Sequence, residues 1–464
     1  MQPMIVIPSL AWSSLYMRLL VIGCGPKALA IYAKAKGLEQ AGFNVPDITI
    51  IEKFEIGANW CGSHGFTDGA QPLGTPPEKD IGFPYNSEYK ELGAPDIIDQ
   101  YLFAFSWPSY KIALRGFADW HDRGRRAPTH ADWAAYLKWA ADRLGLQTDY
   151  RKGEICGIRK EGTKWIVQYI TDESLGTREE VSCDGLVVTG PGEPKRILHQ
   201  AKHDFVLDGQ NFWEERNLDH IRYRYRSQKA RFAVIGAGET AASATLALLK
   251  MTDSDDWSID IISRRGTLYT RGEGYHENRH FSNPRDWAKL HVSLRNELIE
   301  RTDRGVLSLK AIERITEARN VSFLHGEVVR ISSTGTQARV TLKRLSELGE
   351  ETFVPPDYDH VIVALGFDAL TFLEWINDER DRGPLHGTAI ERRSKEFYAR
   401  CANLIADDLS ITGMEPKVYV PMLAGLKQGP GFPNLSCLGT LSDRILRHSI
   451  DILNPGRRKE QQDG

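Results

Sequence analysis

Two short glycine-rich segments are the part of this chain whose residue types and spacing most directly predict chemistry. Their glycines and small residues are Gly23, Gly25, Pro26 and Ala28 in the first segment, and Gly236, Gly238 and Ala241 in the second. In a G-x-G-x-x-A turn the first glycine permits a tight bend and the second lets the backbone approach a pyrophosphate. Free N–H groups at the start of the following helix then bind phosphate oxygens. Each segment is therefore predicted to bind a dinucleotide.

The elements around both segments are those that a dinucleotide site requires. An apolar strand leads into each turn, an apolar helix follows, and a second strand comes after the helix. The second strand of the first unit ends on Glu52, a carboxylate placed to accept hydrogen bonds from ribose hydroxyls. In the second unit it ends on Arg264 and Arg265, and arginine favours a 2′-phosphate. We therefore expect the second nucleotide to be NADPH.

Two bound dinucleotides in one chain predict a flavin and a nicotinamide, with hydride passing from the nicotinamide to the flavin. A disulfide reductase would need a cysteine pair near the flavin, and Cys61 stands alone after the first unit. O2 is then the main remaining acceptor for the electrons of the reduced flavin. The predicted cofactors are FAD and NADPH, with O2 as co-substrate.

A similar segment closes each unit and suggests how the domains are arranged. Residues 184–190 and 359–366 both run from an acid through an apolar strand to a glycine. The predicted fold is α/β, with two nested doubly wound dinucleotide-binding (Rossmann-like) domains and a small substrate-binding insert. The predicted boundaries are a loose extension over 1–16, a split FAD-binding domain over 17–205 and 355–450, an NADPH-binding domain over 206–354 with a substrate-binding segment at about 268–315, and a tail over 451–464.

The composition of the 464 residues excludes several classes of protein. Hydrophobic residues make up 41% and charged residues 26%, which excludes disorder over the whole length. The formal net charge of −3 gives no general attraction to nucleic acid, and no apolar run is long enough to span a membrane. The first residues lack the order of a secretory signal, and the six cysteines are scattered with no C-x-x-C. We therefore expect a cytoplasmic protein that does not bind nucleic acid and has no membrane span.

The segment His276-Glu-Asn-Arg-His280 fits the zinc pattern H-E-x-x-H. That pattern needs a helix with both histidines on one face, and a third ligand. Flanking glycines and the pair Asn283-Pro284 predict a loop here. No metal site is predicted.

Several motifs, in collinear order over roughly residues 17–450, resemble the N-hydroxylating flavin monooxygenases. These enzymes hydroxylate the side-chain amine of lysine or ornithine in siderophore synthesis. The first turn resembles their G-x-G-P-x-x-L-A, and the Lys79-Asp80 pair and the C-terminal Thr440-Leu-Ser-Asp443 resemble theirs too. The segments most similar to the mycobactin-type lysine N6-monooxygenases are 57–60, 77–85, 270–274, 301–305 and 428–439.

The resemblance implies an activity. It is the NADPH- and FAD-dependent N-hydroxylation of the side-chain amine of L-lysine through a C4a-hydroperoxyflavin, for hydroxamate siderophore biosynthesis. A dry pocket would protect the activated oxygen from water. The substrate's amine is the nucleophile, and its unperturbed pKa of ~10.4 requires it to lose a proton within the site.

The resemblance also implies substrate-binding residues. Lys79 corresponds to the family lysine that pairs with the substrate carboxylate, and Asn278 to the substrate-contacting asparagine, with one residue inserted in its motif. Ser442, at the start of the last helix, matches the substrate-facing serine. Asp303 either accepts a hydrogen bond from the substrate's amine or caps a helix, because Thr302-Asp303 suits an N-cap. Asp303 and Ser442 are the predicted catalytic residues.

Further residues are predicted to contact the cofactors. Trp60 is expected to cover the flavin, with a buried core tryptophan as the alternative, and Gln71 resembles the family glutamine near the isoalloxazine, although it precedes Lys79 by eight residues rather than the usual five. The other predicted cofactor-binding residues, beside the second turn and after the closing strand, are Glu239, Thr240 and Gly366.

Alternative functions remain open at this point. One alternative within the same chemistry is that the substrate is ornithine or a diamine such as cadaverine. A Baeyer–Villiger enzyme fits less well, because no F-x-G-x-x-x-H-x-x-x-W separates the glycine turns. An alternative from another functional class is that the chain is a non-catalytic nucleotide-binding protein. The sequence leaves open whether the chain is a homo-oligomer and whether lysine is free or acylated.

Overall fold

The computed structural model describes residues 16–64, 66–89, 95–172, 176–197, 199–252, 256–347, 349–388 and 391–455. Most of the predicted N-terminal extension and tail lie outside these residues.

The described residues form parallel and antiparallel strands, helices and short 3-10 turns. The strands are β1 (Arg18–Ile22), β2 (Asp47–Glu52), β3 (Tyr150–Lys152), β4 (Glu154–Glu161), β5 (Lys164–Asp172), β6 (Thr177–Cys183), β7 (Gly185–Val188), β8 (Glu193–Pro194), β9 (Val206–Asp208), β10 (Ala230–Ile235), β11 (Trp257–Ser263), β12 (Tyr269–Thr270), β13 (Val306–Leu307), β14 (Val321–His325), β15 (Glu327–Ser333), β16 (Ala338–Ser346), β17 (Gly349–Phe353), β18 (His360–Val363), β19 (Phe367–Asp368) and β20 (Lys417–Tyr419). The α-helices are α1 (Pro26–Gln40), α2 (Ala58–Cys61), α3 (Pro95–Phe103), α4 (Trp107–Ala113), α5 (Phe117–Asp122), α6 (His130–Arg143), α7 (Glu215–Arg224), α8 (Glu239–Met251), α9 (Tyr275–Ser282), α10 (Pro284–Ala288), α11 (Val292–Thr302), α12 (Leu309–Glu317), α13 (Lys395–Asn403), α14 (Gly425–Gln428) and α15 (Leu438–Leu453). The 3-10 helices span Leu146–Thr148, Asn211–Trp213, Thr371–Glu374, Glu379–Leu385, Glu391–Arg393 and Pro421–Leu423.

Two parallel sheets carry the glycine turns, and both confirm the α/β prediction. The first has the strand order β20-β7-β1-β2-β3 and the second β14-β11-β10-β18-β9. In each sheet the strand that enters the glycine turn, β1 or β10, lies in the centre. Strands buried on both faces are rich in branched apolar residues, as in the Leu-Leu-Val-Ile of β1. Each glycine turn therefore lies at the carboxyl edge of its sheet, where doubly wound folds bind their ligands.

Smaller antiparallel sheets accompany the parallel ones. They have the strand orders β4-β5-β6 and β15-β16-β17, and the sequence interpretation did not include them. A two-stranded sheet pairs β8 with β19. These two strands lie on the two connections between the parallel sheets, so the connections run side by side.

The buried cores separate along the chain in the way that a split domain requires. The core around the first sheet takes its residues from 19–188 and 369–450. The cores around the second sheet take theirs from 206–364. This separation supports the predicted split organisation, which stays a prediction.

One predicted boundary differs from the strand pairing. A boundary at 355 would assign β18 to the first domain, but β18 pairs with β10 and β9 of the second sheet. The connection lies after Val363, because β18 completes the second sheet before the chain returns. At the C-terminus, α15 continues to Leu453, so the predicted tail begins three residues too early.

No helix in the described part of the chain is long and apolar enough to cross a membrane.

Candidate active site

The first glycine turn has the backbone that a phosphate site needs. Gly23 has a φ of +93°, and an added Cβ would lie 2.5 Å from the Thr189 hydroxyl oxygen, so only glycine fits. Gly25 has an ordinary φ of −96°, and an added Cβ would meet no protein atom within 4 Å. The space beside Gly25 is therefore open at the N-terminus of α1, which begins with Pro26 and packs through the fully buried Ala28.

Glu52 fixes this turn against the end of β2. Its Oε2 accepts a hydrogen bond of 2.7 Å from the Cys24 N–H, and its Oε1 accepts one of 2.9 Å from the Phe54 N–H. Each carboxylate oxygen can accept a second hydrogen bond. The predicted contact with ribose hydroxyls is therefore compatible with this role.

In the second turn, as in the first, the first glycine has no room for a side chain and the second lies beside open space. Gly236 has a φ of +133°, and an added Cβ would lie 2.3 Å from the Ala364 carbonyl oxygen. At Gly238, φ is −113°, and the nearest atom to an added Cβ is the Cα of Gly305 at 3.9 Å. The N-terminus of α8 is therefore open in the same way as that of α1. Gly366, which follows β18, has a φ of +79° and open space beside its Cα.

The first residues of α8 differ in their surroundings. Glu239 carries a buried Oε1 with no hydrogen-bond partner among the described residues. Burial raises the pKa of Glu239, and the Arg271 guanidinium opposes this rise. Thr240 is half-buried and lies close to Gly209, where an added Cβ would be 3.2 Å from its methyl carbon.

The two arginines after β11 are not equally free. Arg264 is exposed, whereas Arg265 donates a hydrogen bond of 2.7 Å to the Glu300 carbonyl and lies 5.6 Å from the centre of the Tyr269 ring. Both cations remain at the end of the strand, as the sequence predicts for a 2′-phosphate site.

Lys79 and Asn278 meet although 199 residues separate them. The Lys79 ammonium donates a hydrogen bond of 3.3 Å to Asn278 Oδ1, and Asn278 Nδ2 donates one of 2.7 Å to the Glu273 carbonyl. Burial lowers the pKa of Lys79, and the nearby Arg271 cation lowers it further. The two residues that the resemblance assigns to the substrate thus lie at one place.

Asp303 lies at the end of a helix rather than at its start. It is the C-cap of α11, so the N-cap alternative is wrong. Its carboxylate lies 3.3 Å from Arg304 Nε. Burial raises the pKa of Asp303, while Arg304, Arg271 and a hydrogen bond from Asn434 act in the opposite direction. Arg271 is therefore within electrostatic range of both Lys79 and Asp303.

Ser442 is fully buried. Its hydroxyl donates a hydrogen bond of 2.8 Å to the Gly439 carbonyl of the same helix. In this arrangement the hydroxyl is not presented to a substrate, so the predicted catalytic role of Ser442 would need another side-chain rotamer.

Trp60 and Gln71 meet around His130, which the sequence interpretation did not include. The rings of Trp60 and His130 stand edge to face with 4.9 Å between their centroids. The backbone N–H of His130 donates a hydrogen bond of 2.8 Å to the backbone carbonyl of Gln71. The amide of Gln71 is buried and donates to both carboxylate oxygens of Asp68. Burial lowers the pKa of His130 to about 4, so the ring is neutral near pH 7.

Arg271 was also missed as a site residue, although its segment was recognised. Its Nη1 donates a hydrogen bond of 2.8 Å to the Gly74 carbonyl, which links the segment after β12 to the segment before Lys79. The only sequence signal was its place within the motif 270–274.

The H-E-x-x-H segment forms helix α9, so the predicted loop is wrong. The helix begins because the Glu277 carboxylate accepts a hydrogen bond of 3.1 Å from the Gly274 N–H. His276 is exposed, and no group of three possible ligands is found here among the described residues.

Comparisons with known proteins show which family the chain is similar to. The sequence profile of the L-lysine 6-monooxygenase/L-ornithine 5-monooxygenase family matches residues 103–369. The L-lysine N6-monooxygenase MbtG of Mycobacterium sp. (strain MCS) is 40% identical over 435 residues, covering 92% of this chain and 94% of that protein. The chain belongs to this family.

Two solved structures have the same fold. The lysine monooxygenase NbtG from Nocardia farcinica is 37% identical, with a TM-score of 0.76 over 93% of this chain and 99% of that one. The ornithine N-hydroxylase KtzI of Kutzneria sp. 744 has a TM-score of 0.70 at 18% identity, over 96% of this chain and 100% of that one. At that identity the second similarity concerns the fold alone. The family resemblance and the fold class predicted from the sequence are confirmed.

Proposed function

We propose that this protein hydroxylates the side-chain amine of L-lysine, with FAD, NADPH and O2, for hydroxamate siderophore biosynthesis. The observation that carries the proposal is the contact between Lys79 and Asn278, which joins the two predicted substrate-binding residues from distant segments. A relative named as an L-lysine N6-monooxygenase, 40% identical over most of both chains, supports lysine as the substrate.

The two glycine turns would hold the cofactors. Around the first turn, the open space beside Gly25 and the carboxylate of Glu52 fit the pyrophosphate and ribose of FAD. The second turn offers the same open helix start at Gly238, with Arg264 and Arg265 fitting the 2′-phosphate of NADPH. Bound FAD, once reduced by NADPH, would supply the activated oxygen.

The chain's own residues would bind the substrate at its two ends. A partly buried Lys79 ammonium would pair with the substrate carboxylate, and the Asn278 amide would add a hydrogen bond. Asp303 would accept a hydrogen bond from the amine at the other end. Since burial raises the pKa of Asp303, its carboxyl could also take up a proton more readily than an exposed aspartate. Trp60 and the buried Gln71 would exclude water from the flavin side.

The free thiols fit a reducing compartment. All six cysteines are unpaired, which supports the proposed cytoplasmic location.

A substrate panel tests the proposal. Purified protein would be assayed for hydroxylamine by mass spectrometry, with NADPH and L-lysine, L-ornithine or cadaverine. A lost charged contact costs about 1.5–3 kcal/mol, so cadaverine, which lacks the carboxylate, should react ten- to a hundredfold less efficiently. Ornithine is one methylene shorter, so its amine lies at least about 1 Å from the productive position, and it should stimulate NADPH oxidation with little hydroxylation.

Lys79→Ala should reduce kcat/KM for lysine ten- to a hundredfold and leave that for cadaverine nearly unchanged. The matched control is Lys417→Ala, which removes another partly buried lysine. Lys417 lies on the edge strand β20 and pairs with Asp408. Equal hydroxylation of lysine and cadaverine by the unchanged protein would contradict carboxylate recognition and favour a diamine substrate. If none of the three amines stimulates NADPH oxidation, the result would favour a non-catalytic protein.

A further inference from the structure

The segment after β2 brings together three side chains of the kinds that bind zinc. Glu55, Cys61 and His64 each offer one ligand atom, and these atoms lie within 4.8 Å of one another. Glu55 Oε1 is 2.8 Å from His64 Nε2 and 3.5 Å from Cys61 Sγ. The predicted cofactor and substrate contacts use none of the three.

We propose that Glu55, Cys61 and His64 form a binding site for a zinc-like divalent cation, with one oxygen, one sulfur and one nitrogen ligand. Zinc bonds of about 2.0–2.3 Å in a tetrahedron separate the ligand atoms by about 3.3–3.8 Å. The separation of 3.5 Å between Glu55 Oε1 and Cys61 Sγ lies in this range, the separation of 2.8 Å between Glu55 Oε1 and His64 Nε2 is shorter, and the Cys61 and His64 ligand atoms lie within 4.8 Å of each other. Small side-chain rotations would therefore complete the site, and water would take the fourth position.

The surroundings hold each ligand in place. The Lys138 ammonium pairs with Glu55 Oε2, which leaves Oε1 to face the other two ligands. The His64 ring stacks on Phe54 with 4.6 Å between centroids. Ligating carboxylates are commonly held by such outer partners.

Binding would exchange protons for the metal. The cation would replace the hydrogen bond between Glu55 and His64. The His64 Nε2 proton would be exchanged through solvent, so that the neutral ring carries its hydrogen on Nδ1 and Nε2 binds the metal, and the Cys61 thiol would release its proton to solvent as the sulfur becomes a thiolate ligand. Affinity should therefore fall at acidic pH, since protons compete for the same atoms.

The competing zinc pattern in the chain is the H-E-x-x-H of helix α9. There the Glu277 carboxylate is used by the Gly274 N–H, and the segment has no sulfur ligand. The two candidates therefore differ in their ligand atoms, and a measurement of those atoms distinguishes them.

The experiment uses untagged, FAD-loaded protein, titrated with Zn²⁺ and then dialysed. We expect one zinc per chain, and a zinc X-ray absorption spectrum with one sulfur at about 2.3 Å and nitrogen or oxygen ligands at about 2.0–2.2 Å. Cys61→Ser and His64→Ala should each weaken zinc binding at least a hundredfold, because the loss of an outer partner alone costs ten- to a hundredfold. Lys138→Met keeps all three ligands and removes a cation that competes with the metal for the Glu55 carboxylate, so this variant should bind zinc at least as tightly as the unchanged protein.

The control variants remove side chains outside the cluster. Cys156→Ser replaces another half-buried thiol, and the double variant His276→Ala/His280→Ala removes the competing histidines. Both should bind zinc like the unchanged protein. A spectrum without sulfur, unchanged binding by Cys61→Ser, or loss of binding in the double histidine variant would overturn the proposal. FAD content and thermal unfolding of each variant show whether it is folded.

Discussion

Replacing Gly25 by valine should remove FAD from a protein that still folds. The backbone at Gly25 has a φ of −96°, which any residue adopts, and an added Cβ would meet no protein atom within 4 Å. We therefore expect the free energy of unfolding of the apoprotein to change by less than about 1 kcal/mol. The valine methyl groups would instead occupy the space where the pyrophosphate must approach the backbone.

The loss of affinity follows from the hydrogen bonds that the phosphates would lose. A hydrogen bond to a charged group contributes about 1.5–3 kcal/mol. If the displaced pyrophosphate loses two of them at the start of α1, the cost is about 3–6 kcal/mol, or roughly a hundred- to ten-thousandfold in affinity. FAD would then be lost during purification.

The neighbouring glycine provides the contrast. Gly23→Ala places a Cβ 2.5 Å from the Thr189 hydroxyl oxygen at a φ of +93°. That hydroxyl donates a hydrogen bond of 2.8 Å to the Ile22 carbonyl, so it cannot move away freely. The variant should lose about 1–3 kcal/mol of stability before any cofactor is considered.

The assay combines FAD content by absorbance, FAD titration into apoprotein, and denaturant unfolding of the apoproteins. Gly116→Val is the matched control, because Gly116 also has an ordinary φ of −106° and only loose contacts, the nearest being 3.6 Å from the Lys111 ammonium. It should keep both stability and FAD. Purification of Gly25→Val with stoichiometric FAD would refute the assignment of the first turn.

Three further predictions concern the second nucleotide, pH and the core. Replacing Arg264 and Arg265 together by alanine should reduce the preference for NADPH over NADH ten- to a hundredfold, and an unchanged ratio of kcat/KM values would contradict the 2′-phosphate assignment. Because burial holds the pKa of His130 at about 4, the folded protein binds fewer protons there than the unfolded chain, so the free energy of unfolding should fall by up to about 3 kcal/mol between pH ~6.5 and ~4. His130→Gln should show a smaller fall in denaturant titrations across that range, and an identical fall would exclude this cause. Lys34 and Asp443 form a fully buried ion pair of 2.7 Å, so Asp443→Ala should cost about 3–5 kcal/mol in chemical unfolding, and a cost below ~1 kcal/mol would show that the pair is not isolated from water.

The parts of the fold that the sequence predicted correctly are set by neighbouring residues. A strand, a glycine turn and a helix follow one another within about 25 residues, and the conformation of Gly23 or Gly236 depends on the turn itself. The end of β2 at Glu52 and the end of β11 before Arg264 were predicted for the same reason.

The errors occur where a local pattern has two interpretations. Thr302-Asp303 suits the start of a helix, but α11 already begins at Val292, with His291 as its N-cap, and it ends at Thr302. Glycines around 272–274 suggested a loop, yet Gly274 serves as the N-cap and Glu277 completes the capping box of α9. Contacts between distant segments, such as that of Lys79 with Asn278, leave no local pattern at all. Only the resemblance to a family pointed to them.

In the Lys79-Asp80 pair, the buried Asp80 anchors the segment and Lys79 extends to Asn278. The Asp80 carboxylate is buried and accepts hydrogen bonds of 2.6 Å from the Tyr85 hydroxyl and 2.8 Å from the Trp107 N–H. On the other side, the N–H of Gly439 donates a hydrogen bond of 2.6 Å to the Phe83 carbonyl, where α15 packs against this segment.

Under the proposed function, Asp80 would be a positioning residue, because its hydrogen bonds fix the backbone of the segment whose Lys79 side chain reaches Asn278. The start of α15 fixes the same segment from the far end of the chain, which couples the position of Lys79 to the helix that carries Ser442. A substitution that loosens either anchor should therefore weaken lysine recognition without contacting the substrate.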